Sequence, residues 1–182
     1  MKRYIVLLRG VMPTGKNKVP MTRLREVLAI DGFKNIRTYI QSGNAVIDTD
    51  RSSSEIEQRV RDLIKKHIGP DLVVVVRTPG QLQNILKENP FQKEFDISRV
   101  FFVLFATPPS PEKIKELIAQ DFSSEKLVIT KNAGYMYIPG TYGSGKLSSN
   151  YLEKKLKVSA TMRNFNTTSK LIAMGSDSTI AK

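Results

Sequence analysis

Two stretches of the chain share one glycine-lysine spacing. Gly10-Val11-Met12-Pro13-Thr14-Gly15-Lys16 and Gly140-Thr141-Tyr142-Gly143-Ser144-Gly145-Lys146 both read G-x-x-x-x-G-K. In this pattern glycines let backbone N–H groups converge on an anion, and the lysine adds charge. Each stretch lies between an expected strand and an expected helix, which is the context a phosphate-cradling loop requires. Neither continues with the Ser or Thr that would hold a metal ion beside a nucleotide; Asn17 and Leu147 stand there. No hydrophobic strand ends in an Asp of the Walker type. Three readings are open: anion binding without hydrolysis, flexible turns that only attract counterions, and a true NTPase, which the missing Ser or Thr and the missing Asp disfavour. On the first, the anion would be held by Arg9, Gly15, Lys16, Asn17 and Lys18 in one region and by Gly143, Gly145 and Lys146 in the other.

A third polar run, Arg163-Asn164-Phe165-Asn166-Thr167-Thr168, sets hydrogen-bonding groups beside one aromatic. Arg163, Asn164 and Asn166 would bind a ligand there; the competing reading is a loop that caps the last helix through Thr167 or Thr168. Gln41-Ser42-Gly43-Asn44 reads as a tight hairpin turn, because Gly and Asn accept positive φ. The single histidine, His67, follows Lys65 and Lys66 near a helix end, where a cation complements the helix dipole. The chain has no cysteine, which excludes disulfides, thiolate metal sites and Cys nucleophiles. With one His and no suitable carboxylate cluster, no metal site and no cofactor are expected.

The formal charge is +12, from 29 basic and 17 acidic residues. Residues 1–25 hold seven bases and no acid, and residues 126–170 hold eight bases and one acid, Glu153. The remainder is close to neutral, so the basicity is local. That sign favours nucleic acid or phosphorylated small molecules as partners and is silent on fold. The apolar run before Arg9 is only five residues, Tyr4–Leu8, too short for a secretory core, and no apolar run approaches a membrane span. A soluble, cytoplasmic protein without membrane contact is the expectation.

The elements that must position these residues alternate strand and helix. Strands are expected at Tyr4–Arg9, Ile36–Gln41, Ala45–Asp48 and Leu72–Thr78. Between them lie a helix opening at Pro20 and ending before Gly32, and one opening at Ser54 with Glu57 in a capping box. This βαββαβ order is ferredoxin-like. A short helix at Gln81–Lys87 precedes a partial repeat: strands Arg99–Ala106, Lys126–Thr130, Tyr135–Ile138 and Ala160–Arg163, and helices opening at Ser110-Pro111, spanning Ser149–Leu156 and spanning Thr168–Met174. The expected fold is α+β, a tandem duplication of ferredoxin-like subdomains with an irregular end to the second copy. The subdomains are residues 1–79 and 99–182, with 80–98 as connecting helix and linker, packed as one compact unit. Tyr4–Leu8, Val73–Val76 and Phe101–Ala106 are apolar on both faces, so something must cover the second face of each sheet, the other half being the simplest candidate. In this reading the first and third strands of each unit run parallel, which brings the two glycine loops to corresponding sheet ends.

The segments at residues 7–21 (LLRG…GKNKVPM), 37–44 (RTYIQSGN) and 160–171 (ATMRNFNTTSKL) resemble the signature segments of an uncharacterised bacterial family, domain of unknown function 1697. The resemblance implies two ferredoxin-like subdomains and no assigned activity. Family members read approximately L-R-G-I-N-V-G-G-K-N-K, whereas this chain has Val11-Met12-Pro13-Thr14 before Gly15 but keeps Lys16, Asn17 and Lys18. The leading functional expectation is binding of an anionic ligand by the two basic loop regions. The alternatives are an enzyme on a phosphorylated substrate, with Lys16 or Lys146 stabilising charge and Arg163 clamping the anion, and an interaction module for an acidic protein.

Overall fold

The computed structural model describes residues 1–176. It divides into one unit of Met1–Gln83 with residues 169–176 and a second of Asn84–Thr168. The first unit runs β1 (Lys2–Leu8), α1 (Met21–Ile30), β2 (Lys34–Thr38), β3 (Asn44–Thr49), α2 (Ser53–His67) and β4 (Val74–Arg77). Its sheet has the order β2-β3-β1-β4 with every neighbour antiparallel. Strand alternation sends Tyr4, Val6 and Leu8 to one face, where they join Leu24 and Leu28 of α1 and Ile56, Val60 and Ile64 of α2. Ile5 and Leu7 occupy the opposite face and are equally buried. A helix from the end of the chain meets that face: a Cβ built on Gly175 would lie 3.4 Å from Ile5 Cδ1.

The helix α2 starts two residues earlier than its sequence suggests. Ser52-Ser53-Ser54-Glu55-Ile56-Glu57 contains two overlapping S-x-x-E spacings, and the structure uses Ser52 with Glu55 as the capping box. Glu57 is spent elsewhere. Its Oε1 accepts the Val76 N–H at 2.9 Å, on the side of β4 facing away from β1. Burial raises the Glu57 carboxyl above the usual carboxylate range.

The second unit follows α3 (Pro79–Lys87) with β5 (Val100–Phe105), α4 (Pro111–Ile118), β6 (Lys126–Ile129), β7 (Gly134–Tyr137), α5 (Ser149–Leu156) and β8 (Ala160–Asn164); α6 (Phe165–Ser176) follows. The sheet order is β6-β7-β5-β8, again antiparallel throughout. Val103, Phe105 and Met136 pack with Leu117 of α4 and Leu152 and Leu156 of α5. On the other face Tyr135 is fully buried, packs edge-on against Phe102, and donates its hydroxyl to the Ile85 carbonyl of α3 at 3.1 Å. Burial pushes that phenol up to about 12.

The strand directions correct one expectation. In each unit the first and third strands are antiparallel, not parallel. Chain leaving β1 and chain leaving β7 therefore emerge at opposite ends of corresponding sheets. Crossover through a helix reverses nothing, but the hairpin between the second and third strands reverses direction once.

Candidate functional site

The first glycine-lysine loop is anchored at its start by two backbone bonds, Leu8 N–H to the Gly43 carbonyl (2.8 Å) and Arg9 N–H to the Val73 carbonyl (3.0 Å). Gly10 and Gly15 take φ of +72° and +79°, conformations that suit glycine. The loop closes on itself, with Met12 N–H donating to the Asn17 carbonyl (3.1 Å) and Lys18 N–H to the Gly15 carbonyl (3.2 Å). Gly15, Lys16 and Lys18 are exposed and Asn17 is half-buried. Lys16 and Lys18 make no ion pair among the described residues. Other bases of this window are engaged: Arg3 holds Asp48 through Nε (2.7 Å) and Nη2 (2.9 Å), Arg23 holds Glu26, and Arg25 donates to Thr38 and Thr22. The helix after the loop opens at Pro20 with no side-chain cap.

The hairpin tip presses against this loop. A Cβ on Gly43, whose φ is +78°, would lie 2.7 Å from both Leu8 Cβ and Val11 Cγ2. Gly43 is thus required by a close approach as well as by the turn. The preceding Ile40 is exposed and holds a φ of +48°, an unusual conformation for a β-branched side chain.

The second loop has the same spacing and the opposite state. Its amides are already filled by a carboxylate of the same unit, because Glu125 Oε2 accepts Lys146 N–H at 2.9 Å and Leu147 N–H at 2.8 Å. Glu125 is buried, and a Cβ on Gly145 would fall 2.2 Å from its Oε1. Glycine at 145 is what lets the carboxylate enter. Lys146 lies over the rings of Phe122 (5.3 Å) and Tyr151 (5.7 Å), and its Nζ reaches the Asp121 carbonyl at 3.5 Å. Ser148 caps α5 by accepting the Tyr151 N–H. Gly143 takes a φ of +86° in open space. The loop, with residues 121–125, borders a cleft of about 370 Å³.

In the third polar run Asn164 is the cap. Its Oδ1 accepts the Thr167 N–H at 2.9 Å, so α6 begins at Phe165 rather than at Thr168. Thr168 Oγ1 donates to the Asn164 carbonyl instead of capping. Arg163 is half-buried; its Nη1 donates to Thr161 Oγ1 and to the Met162 carbonyl, both at 2.7 Å. Burial lowers its guanidinium to about 10, still a cation at neutral pH. Asn166 is exposed on the first turn of α6.

The family model described as "Protein of unknown function (DUF1697)" matches residues 1–135. The chain belongs to this family. Among solved structures, "conserved bacterial protein SP0830 from Streptococcus pneumoniae" is similar at a TM-score of 0.70, with 22% identity over 94% of this chain and 97% of that one. At that identity the likeness shows the fold alone. No curated protein matches. In this DUF1697 chain the segments at 7–21 and 37–44 meet through Leu8, Val11 and Gly43.

Sequence reasoning passed over Glu125. The basic window begins one residue after it, at Lys126, so a count of charges alone separates Glu125 from the loop it fills. The available signal was an acid ending the polar run Asp121-Phe122-Ser123-Ser124-Glu125 directly before a strand. Among the described residues no three His, Cys, Asp or Glu side chains cluster as metal ligands, and no helix is long and apolar enough to cross a membrane.

Proposed function

We propose that this DUF1697 protein binds an anionic ligand, nucleic acid or a phosphorylated small molecule, on the first glycine-lysine loop. One observation carries the reading: Lys16 and Lys18 project from a self-closed, glycine-shaped loop, exposed and, among the described residues, without a carboxylate partner. The uncapped start of α1 beside them adds N–H groups and the positive end of a helix dipole. Lys146 does not serve equivalently, since its loop amides are held by Glu125. The same proposal takes the two βαββαβ units, with their matching strand orders, as ferredoxin-like repeats of one ancestral unit.

Titration of a labelled single-stranded oligonucleotide at two salt concentrations tests the nucleic-acid form. Affinity should fall steeply with salt, and Lys16→Ala with Lys18→Ala should flatten that log–log slope by about 1.4, two phosphate contacts' worth. A thermal-shift series of nucleotides and sugar phosphates tests the small-molecule form. If no oligonucleotide binds at low salt and no phosphate raises the melting temperature, the proposal fails.

A further inference from the structure

We infer that the ligand of the first glycine-lysine loop is single-stranded nucleic acid, its unpaired bases resting on Ile40 and Met12 while its phosphates meet Lys16 and Lys18. The inference rests on the anion-binding reading of that loop and names the ligand. It starts from a strained residue. Ile40 holds a φ of +48° and is 51% exposed. Gly, Asn or Asp takes up a left-handed backbone with less strain than a β-branched residue does. The surrounding structure enforces the conformation. Asn44, fully buried, accepts the Tyr39 N–H on its carbonyl at 3.0 Å and donates Nδ2 to the Tyr39 carbonyl at 3.0 Å and to Ser42 Oγ at 2.9 Å. The Leu8 N–H ties the tip to β1 through the Gly43 carbonyl. Strain held in this way, at an apolar side chain standing half outside the fold, points to use of that side chain.

A second exposed apolar side chain lies across the same contact. Val11 Cγ2 packs against Gly43, and Met12 follows it at 55% exposure. Met12 pairs with Lys18 in an isolated parallel bridge, which sets their backbones about 5 Å apart. Ile40 is three residues from Gly43, so its Cα lies within about 11 Å of that glycine. Apolar and cationic side chains thus share the surface of one loop and the tip that braces it. This mixture selects the ligand. A sugar phosphate has no apolar face, and a duplex keeps its base faces stacked inside. A single strand offers phosphates along its backbone and base faces free to settle on a protein surface. Small-molecule sites are concave and bury most of their ligand, whereas Met12 and Ile40 stand more than half in solvent, as a platform for a strand does.

The test titrates the full chain at low salt with three labelled DNA probes, each about 12 nucleotides long: a single strand, its duplex, and a strand of abasic sites. The single strand should bind about fivefold or more tighter than the abasic strand, the low end of one base contact. It should also bind tighter than the duplex, despite the duplex's denser charge. Ile40→Asn, which suits the left-handed backbone, should raise the melting temperature, weaken the single strand about fivefold and leave the abasic strand unchanged. Met12→Ser should weaken the single strand in the same direction at an unchanged melting temperature. Equal affinity for the single and abasic strands, or full affinity in both variants, overturns the inference and leaves the anion-binding reading standing on phosphate contacts alone. If none of the three probes binds, the inference falls, and the anion-binding reading is decided by the thermal-shift series.

Discussion

The two glycine-lysine loops have identical spacing and opposite occupancy. In the first, glycines at 10 and 15 let the chain close on its own backbone, and the lysines stay in solvent. In the second, glycine at 145 makes room for Glu125, and the lysine lies on aromatic rings. The lesson is that a phosphate-loop pattern specifies an anion-shaped place without specifying whose anion fills it. A side chain 20 residues away can take the position permanently at no loss of translational freedom, whereas a diffusible ligand must bear that cost each time.

The contrast can be broken most severely at its centre. Glu125→Ala leaves the Lys146 and Leu147 N–H groups without an acceptor and should destabilise the protein by about 3 kcal/mol in urea unfolding, with Glu125→Gln recovering most of it. A loss below about 1 kcal/mol for Glu125→Ala would mean that water or another acceptor serves those amides equally well. Next comes Gly43→Ala, which places a Cβ 2.7 Å from Leu8 and Val11 at positive φ and should cost about 2–3 kcal/mol. Gly15→Ala, at similar φ but with nothing within 4 Å, should cost only about 1 kcal/mol, the backbone share alone. Equal losses at 43 and 15 would show that the hairpin tip does not brace the first loop.

Smaller still are the lysines. Lys146→Ala should lose about 0.5–1 kcal/mol of packing on Phe122 and Tyr151. Lys16→Ala with Lys18→Ala should change stability by less than about 0.5 kcal/mol, as solvent-exposed positions do.

Acid adds a weak final comparison. Asp48, bound by Arg3 and Asn35, is held below the ordinary carboxylate range, with the Arg3 hydrogen bond the largest cause. Its folded pKa is depressed, so its contribution is present above a pH of about 4 and is lost as pH falls through the lowered native value. Arg3→Gln should therefore lessen the fall in stability across that acid window and leave the second unit's loop unaffected.

Much of the architecture was legible. Apolar stripes such as Met21, Leu24, Val27 and Leu28 placed α1, and short apolar runs such as Tyr4–Leu8 and Phe101–Ala106 placed strands, because burial leaves its mark in local spacing and run length. Most of the misses share one physical type: each depends on a partner distant in sequence. Two overlapping cap spacings at 52–57 are equal until β4 claims Glu57. Asn164, Thr167 and Thr168 are all competent caps until β8 fixes where the strand stops. Strand direction is the exception: the hairpin turned near Ser42-Gly43-Asn44 reverses the chain once, which was enough to make the first and third strands antiparallel rather than parallel. Of the candidate site, that Lys16 and Lys18 sit on an exposed loop followed from the sequence, whereas Glu125 is invisible to any pattern confined to one loop.

Glu57 has a further consequence, for how the outermost strand of the first sheet is finished. Among the described residues β4 ends that sheet, so the Val76 N–H has no neighbouring strand to pair with. Val75 and Val76 are buried, and a backbone donor shut away from water must find an acceptor. The Glu57 side chain supplies it, so one glutamate on α2 stands in for the strand that is missing there.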